Sequence, residues 1–345
     1  MVALHGQPRS FVGINLTKTT VSVVELIDRG TRLELATYAL ADIPPDAQLA
    51  ISTYQPAATK QLVAFLSQVF EQASLSSDAA IFSLYSPHIF STVLDLPAIA
   101  DQELIAAINY KAQDLVPADL KEMVITATRP NECKHHIPWQ QTRPASIVLS
   151  PPLHEIDPSG ISLQQTTDQS RYLIHAIPQQ TIKWYRELAG ALHLDLIALE
   201  ENVFPILRIH PVTNSHCTFF AHIDHETTNL YAATRSAVCF TRTIDLGHLG
   251  DDNQIQIYLA DEIEHTVARH VQAGFPQPSL VYLLGHSANL AQLQKTLSKL
   301  LSCPVNISQP FSGLSYPQGI EQSLSAQGPT FTVAVGLAKR QINNL

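Results

Sequence analysis

The chain has 345 residues, of which 45% are hydrophobic and 15% charged, and its formal net charge is −9. This composition fits a soluble protein with well-formed cores, and the length favours two domains. Because 21 lysines and arginines are outnumbered by 30 acidic residues, nucleic acid and membrane lipid are not expected as partners.

The first ten residues lack the apolar segment of a secretory signal, and no uninterrupted apolar run is long enough to span a bilayer. The four cysteines are far apart and form no CxxC pair, which favours reduced thiols over a disulfide framework. We therefore expect a cytoplasmic protein with no direct membrane insertion.

The first part of the chain alternates between strands and helices. Hydrophobic periodicity and turn residues predict strands at 11–16, 20–27 and 31–39, a helix at about 57–73, strands at 79–84 and 88–97, a helix at about 101–115 and a strand at 122–128. Residues 129–170 are rich in proline and polar residues, which predicts a long loop interrupted by one short apolar strand, "SIVL".

Regular structure resumes after this loop. The remaining predicted elements are the strand "RYLIHAI", a helix at 179–191, the strand "LDLIAL", three strands within 217–243, a helix at 253–272, the strand "LVYLLG", a helix at 288–301, the strand "VNI" and a helix near 331–342. Three strands precede a helix twice along the chain, at 11–39 and at 217–243. This repetition predicts two duplicated α/β domains with an inserted subdomain.

Several local strings, taken in this order, resemble the actin-like ATPase superfamily. Among its members, "VGINLTKTTVSVVEL", "LDLPAIADQELIAAINYKAQDLVPADLKEMVI", "VYLLGHSANLAQLQKTLSKLLSCPVNISQPF" and "VAVGLAKR" most resemble the PilM family of type IV pilus assembly and its MshI counterpart in MSHA pili. The resemblance implies a two-domain, ribonuclease H-like duplicated α/β fold. The first domain would comprise 1–84 and 171–210, the inserted subdomain 85–170, and the second domain 211–345.

The resemblance also places a nucleotide site, and the residues there depart from the family pattern. Asn15 and Thr17 stand in the first phosphate loop where family members carry aspartate and glycine, and Lys18 follows them. Asparagine does not supply the anionic oxygen that orders magnesium-bound water. In the second phosphate loop, Asp224 replaces the glycine of an Asp-x-Gly pattern, and a carboxylate there would repel a phosphate.

The remaining positions implied for the nucleotide are Thr227 and Thr228 after the second loop, and Gly285 and Ser287 in the adenosine loop. His286 stands between the last two, where paired glycines are usual. Three loops thus depart in the same direction, so we expect neither ATP hydrolysis nor any resident cofactor, including ATP and magnesium.

The resemblance implies an adaptor role. PilM-like proteins bind the short cytoplasmic N-terminal peptide of a PilN-like inner-membrane protein in a groove between the first domain and the inserted subdomain. On the helix at 101–115, Leu104, Ile105, Ile108, Ala112 and Leu115 fall on one side, which we expect to be core. Tyr110 falls on the other side with Ala106 and Gln113, and these three are the candidate partner-binding residues.

Two alternatives from other functional classes remain open at this stage. One is an actin-like ATPase whose nucleotide state gates partner binding, and the other is a sugar-kinase-like enzyme, for which no catalytic aspartate can be assigned. A metal site is not expected, since Cys133, His135 and His136 stand together without a second Cys-His cluster. No catalytic residue is predicted.

Overall fold

The structure is a computed structural model. It describes residues 9–97, 101–116, 118–128, 148–149, 169–212, 217–225, 227–234, 238–247, 252–272, 274–286 and 290–340. The proline-rich loop predicted at 129–170 therefore lies outside the described residues, except for the short strand at 148–149 and the last two residues, 169–170.

In chain order, the strands are β1 (Arg9–Leu16), β2 (Thr20–Asp28), β3 (Leu33–Asp42), β4 (Ala79–Ser83), β5 (Phe90–Pro97), β6 (Met123–Thr128), β7 (Val148–Leu149), β8 (Gln169–Pro178), β9 (Asp195–Glu200), β10 (Cys217–Ile223), β11 (Thr227–Ala233), β12 (Val238–Asp245), β13 (Pro278–Gly285) and β14 (Val305–Ile307). The helices are α1 (Pro45–Thr53), α2 (Pro56–Ala73), α3 (Asp101–Leu115), α4 (Gln179–Ala191), α5 (Val203–Ile209), α6 (Asp252–Gln272), α7 (Leu290–Leu300), α8 (Glu321–Gln327) and α9 (Thr332–Ala338). In the described part of the chain, no helix combines the length and apolar character required to cross a bilayer.

Two sheets share one topology. The first runs β3-β2-β1-β4-β9 and the second β12-β11-β10-β13-β14. In each, the first three strands are antiparallel neighbours, and the last two join in parallel. Both sheets therefore have the same strand order and the same strand directions. This confirms the duplicated α/β architecture predicted from the sequence.

The first sheet is covered on both faces, since consecutive residues of β1 and β2 are buried along most of each strand. Val21 and Val23 face a core built with α1, α2 and α4. Val24 and Leu26, which point to the other side, pack against α9 and residues that precede it. Strands with two buried faces are typical of sheets covered by helices on both sides.

The inserted subdomain is a sheet of order β5-β8-β6-β7 that carries α3 on one face. Ile108 and Ala112 of α3 are buried in its core, as predicted. On the opposite face, Leu173 of β8 joins a core that also contains Phe204 of α5 and Val238 of β12. The insertion is thereby packed against both the connecting helix and the second domain.

Helices α5 and α9 cross between the two sheets at very close range. A Cβ atom placed on Gly336 of α9 would lie 2.2 Å from the carbonyl oxygen of Pro205 in α5. A Cβ atom on Gly13 of β1 would lie 2.0 Å from the carbonyl oxygen of Ala334 in α9. Both positions therefore require glycine, because any side chain would overlap a backbone carbonyl group.

The segment between β14 and α8 returns to the first domain. Leu35 of β3 donates its backbone N–H to the Ser315 carbonyl oxygen (2.8 Å), and Ser315 donates its own to the Leu33 carbonyl oxygen (2.8 Å). Phe311 and Leu314 enter the same core as Leu35. The outer edge of β3 is thus partly covered by chain from the second half.

The sequence prediction missed three helices and misplaced one side chain. Helix α1 buries mostly alanines, which give little periodic signal; α5 contains Pro205 in its first turn; and α8 is only seven residues long. Leu115, predicted to be core, is 42% exposed because it ends α3, and Val116 after it takes the buried position. The side chains of Leu104 and Ile105 lie outside the described residues.

Candidate functional site

The loop between β1 and β2 is closed by its own hydrogen bonds. Thr17 donates its backbone N–H to the Thr20 carbonyl oxygen (2.9 Å), and Thr20 donates its N–H to Thr17 Oγ1 (3.1 Å). Thr17 is only 7% exposed, whereas Lys18 beside it is half-buried. The amide groups of Thr17 and Thr20 and the Thr17 hydroxyl therefore serve the turn itself.

The side-chain amide oxygen of Asn15 also accepts a hydrogen bond within the first domain. The Ser83 hydroxyl, at the end of β4, donates to Asn15 Oδ1 (2.8 Å), and the same Ser83 oxygen accepts the Leu16 N–H (3.1 Å). Asn15 is 5% exposed. This side chain holds the ends of β1 and β4 together.

The loop between β10 and β11 uses its amide groups in the same manner. The Asp224 N–H donates to the Thr227 carbonyl oxygen (2.8 Å), and the His225 N–H donates to Asp224 Oδ1 (2.8 Å). Asp224 thus covers an amide group with its own carboxylate. Thr227 is half-buried, and Thr228 is fully buried with its hydroxyl unpaired.

Gly285 ends β13 beside this loop. Its φ is +99°, and a Cβ atom there would lie 2.1 Å from the Ile223 carbonyl oxygen. That same oxygen accepts the His286 N–H (2.8 Å). Position 285 therefore requires glycine, because β10 and β13 lie too close together there for a side chain. Ser287 lies outside the described residues.

Two imidazole rings lie between the second-domain loops. The ring centroids of His225 and His286 are 4.3 Å apart at an interplanar angle of 39°. Burial lowers the pKa of His286, and His225 lowers it further, while Asp224 and Asp42 oppose this change. Asp42 is the residue that ends β3. The two imidazole rings thus lie against each other next to the β10–β11 loop.

The structure brings the predicted nucleotide-binding residues together within each domain. Asn15, Thr17 and Lys18 share the end of β1, and Thr227, Thr228 and Gly285 share the end of the β10–β13 pair. Across the residues with described side chains, no group of three His, Cys, Asp or Glu residues could hold a metal ion. Cys133, His135 and His136 are outside that set.

The candidate partner-binding residues share an exposed face of α3. Tyr110 is 67% exposed, and Ala106 and Gln113 are exposed with it. The phenol ring thus stands in solvent on a helix whose opposite side is core. A large exposed aromatic side chain in this position is available for contact with another molecule.

Sequence reasoning missed a buried charge cluster between the domains. Glu200, which ends β9, accepts two hydrogen bonds from Arg208 Nη2 (2.9 and 3.0 Å), and Arg340 Nε lies 2.7 Å from its Oε1. Beside it, Glu201 accepts the Tyr231 hydroxyl (2.8 Å), and burial raises the pKa of Glu201 to about 7. The signal available in the sequence was a pair of glutamates directly after an apolar strand.

No family model matches the chain, and no curated protein matches it either. Among solved structures, the chain is similar to a PilM-PilN type IV pilus biogenesis complex, with a TM-score of 0.73, 16% identity and coverage of 96% of this chain and 98% of that one.

Two other solved structures overlap most of the chain at lower similarity. Ethanolamine utilization protein EutJ from Carboxydothermus hydrogenoformans has a TM-score of 0.48, with 11% identity over 97% of this chain and 90% of that one. The cytoplasmic domain of EpsL from Vibrio cholerae, an inner-membrane component of the type II secretion system, has a TM-score of 0.46, with 10% identity over 98% and 96%. The duplicated sheets and the similarity to the PilM-PilN structure show that the chain has the two-domain actin-like fold with an inserted subdomain.

Proposed function

We propose that this protein is a non-enzymatic adaptor in the assembly of a type IV or related pilus. The observation that carries the proposal is the match, over nearly the whole chain, to a protein solved as a PilM-PilN complex. The partner proposed for this chain is a PilN-like inner-membrane protein, bound through its cytoplasmic N-terminal peptide. The chain would then be cytoplasmic and reach the membrane only through that partner.

The inserted subdomain supplies the proposed contact surface. Helix α3 buries Ile108 against the subdomain sheet and presents Tyr110 to solvent. An aromatic anchor on a helix whose other face is fixed in a core is well suited to bind a short peptide, since little side-chain ordering is needed.

The internal bonding of the loops supports a role without nucleotide chemistry. The N–H groups of Thr17, Thr20, Asp224, His225 and His286 all donate within the protein. Phosphate loops bind by pointing free backbone N–H groups at the ligand. Since these amide groups are already paired, ATP binding would require the loops to rearrange, and we propose that the site is a degenerate remnant.

The test is a binding titration of the full chain with a fluorescently labelled peptide that copies the cytoplasmic N-terminus of the PilN-like protein. Fluorescence anisotropy should show saturable binding of this peptide, and a scrambled peptide of the same composition should not bind. Equal binding of both peptides, or of neither, would overturn the adaptor proposal.

The same titration repeated with Mg-ATP separates the proposal from the nucleotide-gated alternative. We expect an unchanged dissociation constant, because the loop amide groups named above already donate within the protein. A tenfold or larger change in peptide affinity, about 1.4 kcal/mol of coupling, would favour the gated ATPase instead.

A further inference from the structure

A groove of about 700 Å³ opens on the second domain, away from the loops described above. Its walls include His210 after α5, Tyr282 on β13, Asn306 on β14 and Lys339 after α9. None of the described loop residues at 15–20, 224–228 or 285–286 lines it. A volume of this size is within the usual range for small-molecule sites in proteins.

The groove has an unusual charge. Among the residues that the structure describes, its lining contains Lys339 and no aspartate or glutamate, although the whole chain has a net charge of −9. Lys339 is half-buried, and its ammonium group has neither a hydrogen-bond nor an ion-pair partner among the residues described. Burial accordingly lowers the pKa of this ammonium group. An unpaired, partly desolvated cation is costly, so an anion that pairs with it would bind favourably.

An aromatic wall stands beside this cation. The rings of His210 and Tyr282 are stacked with centroids 4.0 Å apart, and His210 Nε2 lies 2.7 Å from Ser308 Oγ. Burial, with a further contribution from the charge on Lys339, lowers the pKa of His210 to about 4. The imidazole is therefore neutral at pH 7, and Lys339 remains the one formal charge on the described lining.

From these features, we propose that the groove binds a small organic anion. Its phosphate or carboxylate group would pair with Lys339, while Asn306, Gln309 and Ser312 supply polar contacts. The organic part would lie against the stacked rings and against Ile307 and Pro310 at the same wall. This proposal is independent of the partner-binding proposal, which concerns the inserted subdomain.

Calorimetric titration of the full chain at low salt tests this with three probes: inorganic phosphate, phenyl phosphate and benzoate. The expected result is saturable binding of phenyl phosphate or benzoate, at least tenfold tighter than that of inorganic phosphate. The tighter of the two organic probes identifies the anionic group that the groove prefers. No saturable binding of either organic probe would overturn the proposal, and so would equal affinity for inorganic phosphate.

Substitutions at two positions of the lining, Lys339 and Asn306, test whether the anion binds in the groove. Lys339→Met should weaken binding at least tenfold, while Lys339→Arg, which keeps the charge, should retain it. Asn306→Asp adds a carboxylate at an exposed position of β14 and should also weaken binding tenfold, which keeps the test decisive if Lys339→Met does not fold. Lys299→Met, which removes an exposed lysine in the last turn of α7, is the matched control and should bind as the unaltered chain does. The groove would be excluded as the binding site if Asn306→Asp binds the anion with unchanged affinity and Lys339→Met either does the same or does not fold.

Discussion

Arg340 Nε lies 2.7 Å from Glu200 Oε1, and both side chains are buried, at 2% and 0% exposure. Arg208 binds the same carboxylate from α5 and also donates to the Gly336 carbonyl oxygen (2.6 Å). Glu200 belongs to the first sheet, whereas Arg340 follows α9. The cluster thus joins the first sheet, the connecting helix and the last helix at one point.

Removing the central charge of this cluster should destabilise the whole protein. Glu200→Gln would leave two buried guanidinium groups without an anion, and loss of one partner of a buried ion pair costs about 3–5 kcal/mol. Chemical denaturation followed by circular dichroism measures the change in the free energy of unfolding. The matched control is Glu34→Gln, which breaks the partly exposed pair with Arg29 (3.0 Å) and should cost less than about 1 kcal/mol. Similar losses in both variants would contradict a structural role for the buried cluster.

Backbone carbonyl groups lie so close to Gly13 and Gly336 that replacing either glycine should destabilise the protein. Gly13→Ala and Gly336→Ala each place a Cβ atom 2.0–2.2 Å from a backbone carbonyl oxygen, so both should prevent α9 from packing. We expect loss of cooperative thermal unfolding or a drop of many degrees in Tm. Gly190→Ala in α4, where the added Cβ meets nothing within 4 Å, should instead raise stability by up to about 1 kcal/mol. Normal thermal unfolding of Gly336→Ala would show that α5 and α9 do not cross as described.

Buried His175 predicts a specific loss of stability in acid. Burial lowers its pKa from 6.5 to about 4, so the unfolded chain binds a proton that the folded chain excludes between these values. Stability is therefore fully present above pH 6.5 and decreases as the pH falls toward 4, by about 3 kcal/mol in total. His175→Gln should remove this part of the pH dependence of the free energy of unfolding.

The comparison between variants is needed because Glu201, with its pKa raised to about 7, titrates in an overlapping interval with the opposite sign: its contribution falls as the pH rises. His193→Asn is the control, since His193 is exposed and has a positive φ that asparagine tolerates. An identical pH dependence in His175→Gln and the unaltered protein would refute the assignment.

Substitutions on the two faces of α3 should affect partner binding and folding stability independently. Tyr110→Ala should weaken binding of the partner peptide by about 1–2 kcal/mol and leave thermal stability nearly unchanged, because the ring is exposed. Ile108→Ala should cost about 2–5 kcal/mol of folding stability, because that side chain is fully buried. Anisotropy titrations and thermal denaturation of both variants measure the two effects. Unchanged peptide affinity in Tyr110→Ala would move the contact surface off this helix.

The full chain should bind Mg-ATP with no useful affinity in a calorimetric titration. A dissociation constant in the low micromolar range, on the order of −8 kcal/mol, would contradict this expectation. Asn15→Asp combined with Asp224→Gly restores two family residues and frees the His225 N–H from the Asp224 carboxylate. Some gain of ATP binding is therefore expected in the double variant. No gain would mean that the remaining internal bonds keep the loops closed.

Much of the fold could be predicted from the sequence because its signals are local. The helix predicted at 179–191 has the bounds found in the structure, and the amphipathic pattern of α2 places Leu62 and Leu66 in the core. The repeated order of strands also predicted the duplication. Helix α5 was not predicted, because a proline and an uninterrupted apolar run conceal the helical period.

The site was less predictable because its chemistry depends on contacts between distant segments. The substitution at Asn15 is visible in the sequence, but its hydrogen bond to Ser83 needs the parallel pairing of β1 and β4. The cluster around Glu200 draws residues from three separate segments. Neither arrangement follows from residue spacing alone, whereas the exposure of Tyr110 follows from helical periodicity.

The packing of α9 against β1 has a consequence for biosynthesis. Gly13 and Ala334 meet although roughly three hundred residues separate them, and contacts of such high sequence separation form slowly. During translation, Val24 and Leu26 would emerge long before the helix that covers them. Until α9 has left the ribosome, this apolar surface of the first sheet therefore stays uncovered, and transiently exposed surface of this kind makes a nascent chain prone to aggregation.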